Sequence, residues 1–107
     1  MTSVNTSGSV TTDGTEQTLA TVTTASNFVV TIDVANMAAG DEVEMRIYGK
    51  ARSGDTERLL HLWPILGDQS RDLWQSIPVA SPHYLKATIK RVDGTDRAYP
   101  WAIYDLA

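Results

Sequence analysis

Few side chains in this 107-residue chain are able to do chemistry, and their spacing is unfavourable to catalysis. The two histidines, His61 and His83, each lack a second strong ligand at i, i+2 or i+4, the spacings that bring donors together on one zinc ion. His61 lies between Leu60 and Leu62 in an extended run, where alternation predicts that the two leucines face the core and the imidazole faces away. His83 follows Pro82 and reads as a loop residue. A nucleophilic Ser or Thr needs an adjacent base and a turn that presents it, yet the Gly-x-Ser-x-Gly elbow is absent and the serines fall mainly in turns. Carboxylates are paired at Glu42 and Glu44 and at Asp93 and Asp96. Acid–base work at a glycosidic bond requires a cleft that sets two carboxyls on either side of the substrate, and a strand face above a small core reads as solvated charge instead.

Two loops offer oxygen ligands, Asp68-Gln69-Ser70-Arg71-Asp72 and Asp93-Gly94-Thr95-Asp96. Each contains or adjoins an arginine and neither has a bidentate Glu at a suitable offset, so turn chemistry is expected rather than calcium binding. Trp63, Trp74 and Trp101 could stack on sugar rings or anchor a protein interface, although a core this small is expected to bury one or two of them. No catalytic residue, cofactor or metal ligand follows from these patterns, and the chain is expected not to be an enzyme.

The totals narrow the partners. Thirteen acidic against nine basic residues give a formal charge of −4, which disfavours nucleic acid, because neutralising phosphates takes clustered Lys and Arg. With no cysteine, neither a disulfide framework nor a thiolate metal site is available. No apolar run approaches a membrane span, and the first residues lack the basic and hydrophobic regions of a signal peptide, so a soluble, unprocessed chain without a membrane partner is expected. The length suits one domain with one core.

The elements that would position these residues read as strands. Phe28, Val30, Ile32 and Val34 alternate with Val29, Thr31 and Asp33; Val43, Met45 and Ile47 alternate with Glu42, Glu44, Arg46 and Tyr48. Further runs cover residues 57–63, 72–79, 84–92 and 97–106, and Pro64 and Pro100 suggest edge positions. Three related phrases, Asp13-Gly14-Thr15-Glu16, Gly54-Asp55-Thr56-Glu57 and Asp93-Gly94-Thr95-Asp96, each read as a turn that launches a strand. The expected fold is all-β: an antiparallel β-sandwich, jelly-roll or immunoglobulin-like, of about seven or eight short strands, with a small barrel as runner-up. Residues 1–13 are too polar to bury much surface and read as an extended arm, either a frayed terminus or a segment ordered on a neighbouring subunit, ahead of a single domain over 14–107.

The ordered set Gly14-Thr15-Glu16-Gln17-Thr18-Leu19-Ala20, Asp33-Val34-Ala35-Asn36-Met37, Gly40 to Tyr48, Ser53-Gly54 with Thr56-Glu57-Arg58-Leu59, and Gly94 to Trp101 resembles a group of small tailed-bacteriophage virion proteins. The likeness covers nearly the whole chain, but its motifs are turns and strands and include no functional site. It implies a structural protein on the capsid exterior, a decoration or cement protein whose partner is the major capsid protein, with a homo-oligomer such as a trimer plausible at three-fold positions. A tail or baseplate component, or a carbohydrate-binding module displayed on the particle, are the alternatives. The candidate contact residues are Val4 and Val10 in the arm, Trp74, and Arg97, Tyr99 and Trp101 on the last strand, since aromatic residues and Arg are favoured at hot spots.

Overall fold

The computed structural model describes residues 3–67 and 72–106. Nine strands account for most of them: β1 (Ser3–Thr11), β2 (Gln17–Val22), β3 (Ser26–Asp33), β4 (Glu42–Gly49), β5 (Arg58–Leu66), β6 (Leu73–Gln75), β7 (Val79–Ser81), β8 (Leu85–Asp93) and β9 (Ala98–Asp105). No helix occurs among the described residues. All pairings are antiparallel, in two sheets of order β1-β9-β3-β6, with β7 also on β3, and β2-β8-β4-β5. The sheets pack face to face as a sandwich, the expected class.

Alternation explains the core. From one sheet come Phe28, Val30, Ile32, Tyr99 and Ile103, and from the other Val43, Met45, Ile47, Leu85 and Ile89, all almost fully buried. Val34 and Met37, in the connector after β3, close one end of it. The centre of the first sheet is dry on its outer face too: Val29 and Thr31 are buried there, beside Tyr104 and Ala102 of β9, and Gln75 Nε2 donates to Thr31 Oγ1 at 3.2 Å.

The three turn phrases lead into β2, β5 and, one residue later, β9. The Asp13 carboxylate accepts from Thr15 N at 3.0 Å and Thr15 Oγ1 at 2.6 Å, an Asx-type turn. In the third phrase Gly94 has φ +87°, and a Cβ there would overlap the Asp41 carboxylate, so only glycine fits.

Four expectations need correction. Ser3–Thr11 is not an arm awaiting a neighbour: it is paired along β9 of its own chain, from Ser3↔Asp105 to Thr11↔Ala98. Backbone bonding to an open strand edge does not require an apolar segment, and Gly8 leaves room for the Trp101 indole, whose Cζ2 lies 3.1 Å from where a Cβ would stand. Pro100 does not mark an edge strand, since β9 lies between β1 and β3. It falls one residue beyond the last β3–β9 pair, Ile32↔Trp101, where its missing N–H costs no ladder bond on that side. The run over 72–79 is two short strands, because Pro78 interrupts pairing. Ser76 bridges the gap, donating its N–H to Val30 O at 2.8 Å and accepting Val30 N–H on its Oγ at 2.9 Å.

The fourth concerns β5. His61, Trp63 and Ile65 lie opposite Ile47, Met45 and Val43, the inward residues of β4, whereas Leu62 lies opposite Arg46 and Leu66 opposite Glu42 on the outer face. The strand therefore has the reverse phase of the one expected from Leu60 and Leu62. A register shift between Ile47 and Tyr48 leaves Leu60 as an extra residue, and a slip of one exchanges the two faces.

Candidate interaction surface at the β5 edge

β5 is the edge strand of its sheet, and the phase just described puts leucines on its outside. Leu59, Leu62 and Leu66 are 50%, 41% and 60% exposed, large values for residues that could have been core. Leu73 of β6 and Ile77, at the neighbouring edge of the other sheet, are also exposed. Between the two edges the sandwich is plugged by aromatic rings: His61 stacks on Trp63 with centroids 5.0 Å apart, and Trp63 meets Trp74 edge-on at 5.2 Å. Pro64 lies in β5 with no N–H to offer, which blunts the edge against strand addition while its leucines remain available to a partner's side chains.

Much of the rest of that outer sheet face is bonded internally, although the Arg46 Nε finds no acceptor and Lys90 makes no ion pair among the described residues. Glu16, just before β2, accepts from Tyr48 Oη at 2.5 Å, Thr88 Oγ1 at 2.7 Å and Arg46 at 3.3 Å, and Arg46 also bonds Glu44 at 2.8 Å. Burial works to raise the Glu16 carboxyl, but the bonds from Tyr48 and Thr88 and the charges of Arg46 and Lys86 together hold it below its ordinary value. Glu57 accepts from Lys86 at 2.7 Å and from Tyr84 Oη at 2.9 Å. Charges already bound to one another have little left to offer a ligand.

Chemistry-bearing residues are thus dispersed. Glu44 is held by Arg46, and Glu42 lies at the end of β4 opposite Leu66 and Asp93, so the two carboxylates do not face each other across a cleft. The His83 Nε2–H donates to the Lys50 carbonyl at 2.9 Å. Asp96 pairs with Arg91, and Asp93 Oδ1 accepts from Gly94 N at 2.8 Å. The Asp68–Asp72 loop lies largely outside the described residues, and among the described residues no cluster of three His, Asp or Glu side chains could hold a metal ion.

The expected contact residues do not form one surface. Tyr99 is fully buried and belongs to the core, so it cannot be a contact; its phase along β9 aims it between the sheets, opposite Val10. Val10, Trp74 and Trp101 are half-buried and pack against that core, Trp74 and Trp101 flanking Ile32 from its two sides. Val4 is exposed at the far end of β1, opposite Tyr104. Arg97 is engaged inside the molecule, its Nε donating to Asp41 Oδ2 at 2.6 Å. Asp41 is the hub of that region: it is 4% exposed and also accepts from Ala38 N at 2.9 Å and Thr95 N at 3.0 Å. The bond from Ala38 first, then that from Thr95, outweigh burial and, with Arg97, bring its carboxyl down to about 2.

Sequence reading missed the leucine row because both phases of 59–66 are apolar. The signal was available: His61, Trp63 and Ile65 carry the aromatic and β-branched bulk that an inward strand face favours. None of the three indoles stands exposed as a flat sugar platform, since all are half-buried against the core. No family model, curated protein or solved structure matches the chain.

Proposed function

We propose that this chain is a non-enzymatic structural protein of a bacteriophage particle, a decoration or cement protein that binds the outside of the capsid lattice and stabilises the head. The resemblance of its turns and strands to small virion proteins supplies the context. The observation that carries the reading is the leucine row on β5: Leu59, Leu62 and Leu66 are exposed on an edge strand beside a polar face on which Glu16, Glu44 and Arg46 are paired among themselves. Exposed apolar groups in such a setting gain free energy by being covered, and repetition over a lattice turns a modest interface into strong retention by avidity.

The test is reconstitution. Purified protein is added to shells lacking it, and occupancy is counted in reconstructions. Saturable binding of on the order of hundreds of copies, lost in a Leu62→Glu, Leu66→Glu double variant that still folds, supports the reading. A few copies at one vertex or on the tail would replace it with a tail or baseplate role, and no binding to any part of the particle would end the virion reading.

A further inference from the structure

The β4–β5 hairpin and β7 enclose a groove of about 320 Å³, at the lower end of the range for ligand sites. Its walls include Leu59, Leu60, Val79 and Pro82, and its rim carries Lys50 and Arg58. Local features of the fold open it. Leu60 is the residue left unpaired by the register shift in β5, and Gly49 adds no side chain where a Cβ would touch Leu60 Cδ2 at 3.7 Å. The flanking strands β5 and β7 each have a free edge.

The electrostatics of the groove oppose those of the chain as a whole. No Asp or Glu lines it, although acidic residues outnumber basic ones thirteen to nine. Of the neighbouring carboxylates, Glu57 is held by Lys86 and Tyr84, though its charge also reaches Lys50, and Asp55 is held by Arg52. The Lys50 ammonium rests 4.3 Å over the Tyr84 ring, a contact that leaves its N–H donors available, and Arg58 makes no ion pair among the described residues. Two cations above an apolar floor select a ligand with an anionic group beside a large apolar one. The free strand edges suit an extended backbone.

We propose that this groove binds an extended peptide segment of a partner protein that carries a carboxylate side chain next to a large apolar side chain. The inference stands on the groove alone and holds whether or not the partner belongs to a virus particle. Its test is anisotropy of a labelled, blocked peptide of alternating leucine and glutamate against the full chain, with a glutamine counterpart and dodecanoate as comparison ligands. The glutamate peptide should bind at least about fivefold more tightly than the glutamine peptide. Lys50→Glu and Arg58→Glu together should weaken it by about tenfold, and raising salt from about 50 to 500 mM should weaken it further. Amide shifts of Gly49, Ala51 and Ala80 in the wild-type protein would locate the site independently of the variants. Absence of binding at about 1 mM, equal affinity for the two peptides, indifference to the double substitution, or dodecanoate binding as tightly as the peptide would each overturn the proposal.

Discussion

Removing the charge of Asp41 should cost this fold more than any other single change at its polar surface. The carboxylate joins the connector after β3, through Ala38, to the β8–β9 turn, through Thr95, and to Arg97 ahead of β9. Its carboxyl falls from the ordinary 3.8 to about 2, and at about 1.36 kcal/mol per unit that difference corresponds to about 2.4 kcal/mol of stability at neutral pH. Asp41→Asn keeps one acceptor oxygen but loses the charge, so a destabilisation near that size is expected, equivalent to about 10 °C in melting temperature. Because the folded value is depressed, the contribution is complete well above 3.8 and disappears as pH falls through about 2. The stability gap between wild type and Asp41→Asn should therefore close over that interval. Urea unfolding followed by tryptophan fluorescence measures the gap at each pH, and other titrating groups such as Glu16 cancel in the difference. A gap below about 0.5 kcal/mol at pH 7, or one that stays constant down to pH 2, would refute the clamp and return Arg97 to the candidate contacts.

Tyr99→Phe should leave stability unchanged or raise it by up to about 1 kcal/mol in urea unfolding, because the buried Tyr99 hydroxyl has no hydrogen-bond partner among the described residues. Trp63→Ala should cost about 3 kcal/mol whereas Leu62→Glu should change stability by less than about 0.5 kcal/mol; the opposite order in thermal melts would mean that β5 has the other phase. Deleting residues 1–11 should leave a folded domain whose tryptophan emission shifts to the red, since β1 covers Trp101 and contributes Val10 to the core edge, with a loss of about 1–2 kcal/mol in the same urea assay. Complete unfolding of the truncated chain would show that β1 is integral to the sandwich.

The sequence made β3 and β4 readable because only one phase of each was wholly apolar. Val43, Met45 and Ile47 alternate with charges, so burial had a single solution. On β5 the same rule had two solutions, and the choice was settled by Trp63 and Ile65 meeting Met45 and Val43 across the ladder, which is tertiary information. The three turn phrases were legible because their residues act on their own backbone. Asp41 was not, since its partners Thr95 and Arg97 lie 54 and 56 residues away. The pairing of β1 was hidden for another reason: backbone hydrogen bonds to β9 leave no mark on side-chain pattern, and the strand remains mostly exposed after pairing.

The outer face of the β2-β8-β4-β5 sheet has two parts of different character. On its β2, β8 and β4 portion, Glu16 bonds Arg46, Tyr48 and Thr88, a network that ties β2, β4 and β8 together. On β5 the outward leucines Leu59, Leu62 and Leu66 are about half exposed, and Pro64 withholds a backbone donor. At the Pro64 end of this edge strand addition is discouraged, so a partner covering Leu62 and Leu66 would read the side-chain shape set by the β5 register. A one-residue slip of β5 would bury the leucines and expose Trp63. The bulge at Leu60 and the His61–Trp63–Trp74 stack therefore hold the register that decides which side chains this edge presents.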